Sequence, residues 1–235
     1  MGVTRLSLNT RKLTVAVVCT SVAALLAIVL ITPAIARERK LYPVDEGKND
    51  TSFSVFRERL LKAVRARDKK YLLSTIDPQI KWSFGGDDGI REFRRHWKLD
   101  GGDSKLWGEL IDVLSLGGTF STSGDQKEFW APYTFSTFPD DLDAFEYAAI
   151  VGKNVRARAR PSGDAPVVAT LSYDLVKAGF SENSGAGTPG WAKVTAPSGK
   201  QGYVTRKFVR SPVDYRACFR NMKGKWLMTV FIAGD

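Results

Sequence analysis

Apolar residues recur at helical spacing near the start of the polar part of this 235-residue chain. The positions that share this spacing are Phe53, Phe56, Leu60, Leu61 and Val64. Spacings of three and four residues place such side chains on one side of an α-helix. Thr51 or Ser52, just before the run, is the expected N-cap. The pattern therefore predicts an amphipathic helix whose apolar face packs into a core.

Three more helices and a strand are predicted in the region that follows. The helices are expected over 69–76, 87–97 and 104–116, and the last is followed by the Gly117-Gly118 pair that commonly ends a helix. The stretch "QIKWSFGG" alternates apolar and polar residues and then reaches two glycines, which is typical of a strand that enters a turn. Residues 129–145 are aromatic and interrupted by proline, so we expect them to be extended.

The pattern changes between residues 148 and 212. Short apolar runs are separated there by Gly, Pro, Ser and Asp, at intervals of about ten residues, which favours a small all-β barrel. After Pro212, two β-like runs flank "MKGK" and predict a terminal hairpin. Phe231 and Ile232 are close to the end of the chain, so we expect this terminus to lie within a sheet.

The fold class expected from these patterns is α+β, with the barrel inserted before the closing hairpin. The hairpin would then complete the domain that the helices begin. The expected divisions are 1–36 as a signal peptide or membrane anchor, 37–52 as a linker or loosely held arm, 53–147 as a helical α+β domain, 148–212 as the barrel, and 213–235 as the closing hairpin.

The N-terminal segment has the order of a secretory signal. A basic stretch with Arg5, Arg11 and Lys12 precedes the apolar run of residues 13–31, and "AIA" precedes a charged region. This order predicts export and cleavage after Ala36. The alternative is an uncleaved anchor, because the run is just long enough to span a bilayer. In both cases the remaining chain is expected outside the cytoplasm, in the periplasm or another extracytoplasmic space.

The positive charge of the exported part is concentrated in the barrel segment. The whole chain has a net charge of +10, and residues 148–212 contain ten basic against three acidic side chains, which is +7. Residues 37–147 contain 18 basic and 20 acidic side chains and are nearly balanced. A local basic surface attracts polyanions over about 10 Å in ordinary salt. Outside the cytoplasm we expect cell-wall polymers or lipid headgroups as partners, and no nucleic acid.

The stretch "NVRARARPSG" supplies the most distinctive part of this charge. Arg156, Arg158 and Arg160 alternate with alanines, so a strand would place all three guanidinium groups on one face. That row is either an anion-binding surface or only the solvated face of a strand. Aromatic residues in the same segment favour binding, because arginine and aromatics are enriched in binding hot spots. The candidate ligand-binding residues are Arg156, Arg158, Arg160, Tyr173, Trp191 and Tyr203.

Known catalytic and metal-binding patterns are not found in the sequence. Cleavage would remove Cys19 and leave Cys218 without a disulfide partner, and His96 is the only histidine, so a zinc site is not expected. No motif of a serine hydrolase, zinc protease or P-loop enzyme is present. We therefore expect no metal, no cofactor and no catalytic residues, although paired carboxylates that meet only in the fold remain open. One cluster of acidic residues has two interpretations: it binds a cation, or it precedes a helix. Its members are Asp140, Asp141, Asp143 and Glu146.

The barrel segment resembles the bacterial SH3-like domain (SH3b, SH3 type 3). The residues that carry the resemblance are Asn154-Val155-Arg156, Pro161-Ser162, Ala165, Val167-Val168, Gly190-Trp191, Val194, Gly199 and Gly202-Tyr203-Val204. The chain departs from the family pattern in its longer "RARAR" run and in the long loop "SENSGAGTP". The resemblance covers 65 of 235 residues and implies an SH3-like barrel of the kind that commonly accompanies cell-wall proteins. The flanking segments faintly resemble secreted α+β domains of the cystatin-like or nuclear-transport-factor-like kind.

Two functions are consistent with these observations. The first is an exported, non-catalytic envelope protein whose SH3-like part binds peptidoglycan, another anionic envelope component or a protein partner. Its only membrane contact would be an uncleaved N-terminal helix. The alternative is a cell-wall hydrolase with its active site in residues 53–147.

Overall fold

The computed structural model describes residues 39–178 and 190–234, together with Gly2. The apolar run of residues 13–31 and the predicted cleavage site after Ala36 lie outside the described residues. Within the described part of the chain, no helix is long and apolar enough to cross a membrane. The expected mixed α+β class is confirmed, since five α-helices accompany two sheets in the described ranges.

The helices of the described chain precede most of the strands. They are α1 (Thr51–Arg65), α2 (Lys69–Ser74), α3 (Ile90–His96), α4 (Leu106–Ser115) and α5 (Tyr133–Ser136), with short 3-10 helices at Glu46–Asn49 and Arg206–Phe208. The expected N-cap of α1 was wrong. Asp50 occupies that position, because its carboxylate accepts the Phe53 N–H at 3.0 Å, while Ser52 donates its hydroxyl to the same carboxylate. α5 was not predicted: residues 129–145 were expected to be extended.

Two sheets contain the strands of the described chain. In chain order the strands are β1 (Ile76–Lys81), β2 (Thr119–Ser123), β3 (Gln126–Ala131), β4 (Tyr147–Ile150), β5 (Val155–Arg158), β6 (Val167–Leu171), β7 (Leu175–Lys177), β8 (Trp191–Thr195), β9 (Gln201–Thr205), β10 (Val209–Arg210), β11 (Arg216–Met222) and β12 (Lys225–Ile232). The first sheet has the order β1-β12-β11-β3-β2, and the second has the order β10-β4-β7-β8-β9-β5-β6.

The first sheet supports the helices through an aromatic core. The ring of Phe53 on α1 lies 4.2 Å from that of Phe129 on β3 and 5.7 Å from that of Phe219 on β11, measured between centroids. Trp226 on β12 lies 4.9 Å from the same ring. Residues of three neighbouring strands therefore meet one helix residue, so the packing of α1 depends on β3, β11 and β12 together. Aromatic pairs at such distances add stability beyond the area that they bury.

The predicted terminal hairpin is confirmed. β11 and β12 pair antiparallel from Arg216↔Ile232 to Met222↔Lys225, and both Phe231 and Ile232 are buried.

The strand β1 begins and ends earlier than the sequence predicts. It is parallel to β12 and runs from Ile76 to Lys81, so the alternating Trp82 and Phe84 lie after its end. Pairing with β12 decides where β1 begins and ends, and the sequence pattern around β1 contains no information about that partner.

The strands of the second sheet lie between β3 and β11 in chain order. Ala131 at the end of β3 is paired with Ala217 near the start of β11. The chain therefore leaves and re-enters the first sheet at adjacent positions. The core of the second sheet is made of small aliphatic side chains, among them Ala148, Ile150, Val155, Ala157, Leu171, Val194 and Val204.

Residues 39–50 are packed against both sheets, which differs from the loosely held arm expected from their polar composition. The Leu41 N–H donates to Tyr173 O and the Leu175 N–H donates to Arg39 O, each at 2.8 Å. At the other end of this arm, the Gly118 N–H donates to Val44 O at 2.9 Å. Gly118 packs against the backbone of β3, where a Cβ would overlap a carbonyl group.

Ion pairs add to the backbone contacts of the arm. Arg39 forms a two-pronged pair with Asp141 at 2.7 and 2.8 Å, and Lys40 Nζ lies 2.8 Å from the buried Asp174 carboxylate. Asp45 accepts from Arg57 on α1. The polar residues that predicted a solvated arm are therefore the ones that attach it, and composition alone does not separate these two cases.

We expect deletion of residues 213–235 to unfold the helices as well as the second sheet. This deletion removes β11 and β12, which lie between β1 and β3 and form one wall of the aromatic core. Far-UV circular dichroism during heating measures the effect. A truncated chain that still melts cooperatively would show that the parts are consecutive domains. A Met222→Gln variant, changed at an exposed hairpin position, is the control that should keep its melt.

Asp50 provides a pH-dependent contribution to the stability of α1. Lys127, the Ser52 hydroxyl and the Phe53 N–H hold the pKa of its carboxyl well below the usual range. The unfolded chain therefore binds more protons in acid, so the contribution is complete above about pH 4 and is lost as the pH falls further. We expect Asp50→Ala to lower the free energy of unfolding at pH 7 by about 0.5–2 kcal/mol.

Asp50→Asn is the matched variant for this prediction, because asparagine caps helices as well as aspartate does. It keeps the cap and removes the 2.8 Å pair with Lys127. Urea unfolding at pH 7 and pH 3 should show a stability difference from the wild type that shrinks in acid. A difference that stays constant between the two pH values would contradict a role for the charge.

Candidate functional site

Three strands of the second sheet bring the basic and aromatic residues together. Tyr203 on β9 is paired with Arg158 on β5 and with Lys193 on β8. Residues directly opposite each other in antiparallel strands point to the same side of the sheet. The three side chains therefore form a row across β5, β9 and β8, with the tyrosine between two cations.

A second row follows from the two-residue repeat of the strands. Arg156 shares the face of Arg158, and Trp191 shares the face of Lys193. Burial agrees with this assignment: Arg156 and Lys193 are exposed, while Trp191 and Tyr203 are half-buried. The intervening residues on the opposite side are buried, namely Val155, Ala157, Val194 and Val204. We call the set Arg156, Arg158, Trp191, Lys193 and Tyr203 the basic face.

Arg158 has a partner within the chain, and this fixes its position. Its Nη1 donates to the carbonyl oxygen of Ala165 at 2.6 Å, and its side chain is half-buried. The nearby Asp164 accepts from the Ser162 hydroxyl, which lowers the pKa of that carboxyl, with smaller contributions from its backbone, Arg160 and Arg158. Arg158 therefore organises the β5–β6 connection, while Arg156 and Lys193 extend into solvent.

The predicted row of three arginines is not present within one strand. β5 ends at Arg158, a register shift separates Ala157 from Arg158, and Arg160 lies in a bend. The Ala159 N–H donates to Pro166 O at 2.9 Å, which turns the chain before the Pro-Ser-Gly sequence. Two of the three arginines belong to the basic face, and Arg160 is exposed at the end of the strand.

Tyr173 is also separate from the basic face. It lies between β6 and β7 with a φ of 60°, and its ring is 5.7 Å from that of Tyr42. Its carbonyl accepts the Leu41 N–H. The structure thus places Tyr173 where the N-terminal arm attaches.

The sequence analysis missed Lys193. The signal was available in "WAKVT", where Trp191 and Lys193 are two residues apart and Val194 is apolar. A strand with alternating faces places the lysine beside the tryptophan. The prediction of a cationic row used only the arginines of β5, although β8 contributes two residues to the same face, as β5 does.

The other candidate chemistries receive no support from the geometry. Asp141 pairs with Arg39, Glu146 with Lys177, and Asp143 accepts the Phe145 N–H. Among the residues that the structure describes, no group of three histidine, cysteine or acidic side chains has the arrangement of a metal site. Cys218 is buried, and this burial raises the pKa of its thiol to about 12, which keeps it protonated and unreactive at neutral pH.

No family model, curated protein or solved structure matches this chain. The function is therefore argued from its own residues. Among the residues that the structure describes, the basic face brings together four of the six predicted ligand-binding residues, Arg156, Arg158, Trp191 and Tyr203.

Proposed function

We propose that this chain is an exported, non-catalytic envelope protein that binds peptidoglycan or another anionic wall component. The observation that carries the proposal is the basic face, where two aromatic rings and three cations lie on one side of three paired strands. Strands joined by backbone hydrogen bonds fix the backbone positions of these residues, and the bond to Ala165 O fixes the Arg158 side chain. The ordering entropy lost on binding is then smaller than for the same residues on an unstructured segment.

We also propose that the second sheet is an SH3-like domain inserted into the α+β domain. For two of the residues that carry the resemblance to the SH3-like domain, Asn154 and Gly202, the fold gives a physical reason why that residue type is present. Asn154 has a φ of 54°, which asparagine tolerates better than most residues. A Cβ on Gly202 would lie 2.8 Å from Val168 Cγ2, so glycine permits β9 to pack closely. The chain order, with β4–β10 between β3 and β11, supports the insertion.

The basic face suits a long polymer with carboxylate groups and sugar rings. Arginine and lysine donate to carboxylates, and the rings of Trp191 and Tyr203 offer flat apolar contact area. Each exposed ion pair contributes only about 0–1 kcal/mol. A polymer that engages several contacts at once gains from their combination, whereas a small anion does not.

We expect an Arg156→Gln, Lys193→Gln double variant to bind purified cell-wall sacculi about three- to tenfold more weakly at low salt. Both side chains are exposed, and neither forms a hydrogen bond or ion pair with a residue of the described ranges. At 1 M salt, where the screening length is about 3 Å, its binding should converge with that of the wild type. Co-sedimentation with sacculi at both salt concentrations measures this.

Two further variants make this experiment decisive. Arg59→Gln, Arg65→Gln removes the same charge from exposed positions of α1 and should bind like the wild type. Trp191→Ala should weaken binding at both salt concentrations, because aromatic contacts are little affected by salt. Equal binding of all folded variants would mean that the basic face is only a solvated surface. Clearing of the sacculus suspension would instead support the hydrolase alternative.

We expect the exported protein to begin at Arg37. The physical reason is the order of basic, apolar and small residues before Ala36, which signal peptidase recognises. N-terminal sequencing of protein from the envelope fraction tests this. Recovery of an intact Met1 in washed membranes would show an uncleaved anchor instead.

A further inference from the structure

A second candidate site lies in a cleft beside α4. Its walls are α4 on one side, and the 3-10 helix at 206–208 with β10 and the segment before β11 on the other. The cleft has a volume of about 480 Å³, which is within the range of small-ligand sites. Its apolar lining consists of Leu116, Val151, Val209, Val213 and Ala233.

The wall formed by β10 and the segment before β11 has an internally paired charge cluster. Asp214 accepts the Ser211 N–H at 3.0 Å, and it lies 3.3 Å from Arg206 Nη2 and 3.8 Å from Arg210 Nε. Arg210 also donates to Tyr215 O at 2.7 Å. Two guanidinium groups share one carboxylate here, so this wall has a net positive charge. Lys207, which is exposed, adds to it.

The α4 wall contributes the opposite charge. Glu109 is half-buried, and its carboxylate forms no hydrogen bond or ion pair with any residue that the structure describes. Burial raises the pKa of its carboxyl, and the nearby Asp112 and Asp214 act in the same direction against the two arginines. A partly buried carboxylate without donors is costly, and a ligand that supplies donors would remove this cost.

We propose that this cleft binds a short peptide or amino acid through its two charged termini. The ligand's ammonium group contacts the Glu109 carboxylate, its carboxylate contacts Lys207, and an aliphatic side chain packs on the apolar lining. The opposite charges of the two walls match a zwitterion and disfavour a ligand of one sign. This inference does not depend on the function proposed for the basic face, which lies on other strands.

Isothermal titration calorimetry of the full chain with the tripeptide Ala-Leu-Ala tests the proposal. We expect saturable binding, at least tenfold weaker binding after N-acetylation of the peptide, and weaker binding after amidation of its carboxylate. Titration with free leucine distinguishes a peptide ligand from an amino-acid ligand. Tighter binding of leucine than of the tripeptide would indicate an amino acid, and tighter binding of the tripeptide would indicate a peptide. No binding of either compound at millimolar concentration would overturn the proposal.

Variants of the protein locate the ligand in the cleft. Glu109→Gln should weaken Ala-Leu-Ala binding at least tenfold and should not weaken binding of the N-acetylated peptide further, because the lost contact is the same. Lys207→Gln should weaken binding of Ala-Leu-Ala and should not weaken binding of the amidated peptide further, because the lost contact is again the same. Glu58→Gln, at an exposed position of α1, should bind like the wild type. Equal loss of both peptides in Glu109→Gln would overturn the ammonium contact.

The melting temperature distinguishes these outcomes from unfolding. Because the half-buried Glu109 carboxylate accepts no hydrogen bond from the residues that the structure describes, Glu109→Gln should melt at the wild-type temperature or above it. A variant that loses binding and also melts earlier would contradict the inference that this carboxylate serves a ligand and not the fold.

Discussion

The pairing of β3 with β11 is the constraint on which the rest of the structure depends. It joins two segments separated by the whole second sheet, so closing it costs conformational entropy before any local contact compensates. An ion pair to a buried carboxylate marks the position: the half-buried Arg220 donates from Nε to Glu128 at 2.6 Å, and Trp130 Nε1 donates to the same carboxylate. The same pairing completes the wall against which Phe53 packs. The helical core and the placement of the second sheet thus have a common origin.

Elements with a strong local period were predictable from the sequence. The spacing of Phe53 to Val64 gives α1, and the runs around Lys223-Gly224 give the terminal hairpin. Features that depend on a distant partner were not predictable. Asp50 caps α1 while it also pairs with Lys127, and β1 begins at Ile76 because β12 lies beside it. In both cases the deciding atom belongs to another part of the fold.

The candidate sites divide in the same way. Alternation alone placed Arg156 and Arg158 on one face, and it would have placed Lys193 there too. It failed at Arg160, because β5 ends at Arg158 and Arg160 lies in a bend, and at Tyr173, because that residue lies between β6 and β7. The cleft has no sequence signature at all. Its opposing charges come from a helix before the second sheet and from residues at the last strand of that sheet, and only the fold brings them together.

The attachment of the N-terminal arm has a mechanical consequence. A pulling force applied at residue 39 would act first on the hydrogen bonds of Leu41 and Leu175 and on the ion pair of Lys40, which hold the arm to the second sheet, and on the ion pair of Arg39 with Asp141 in the loop before that sheet. Only after these broke would tension reach Gly118 and the first sheet. If the protein is tethered to a membrane at its N-terminus and bound to the wall through the basic face, the load would pass from β7 to the neighbouring strand β8 within the second sheet. The aromatic core would then remain unstressed.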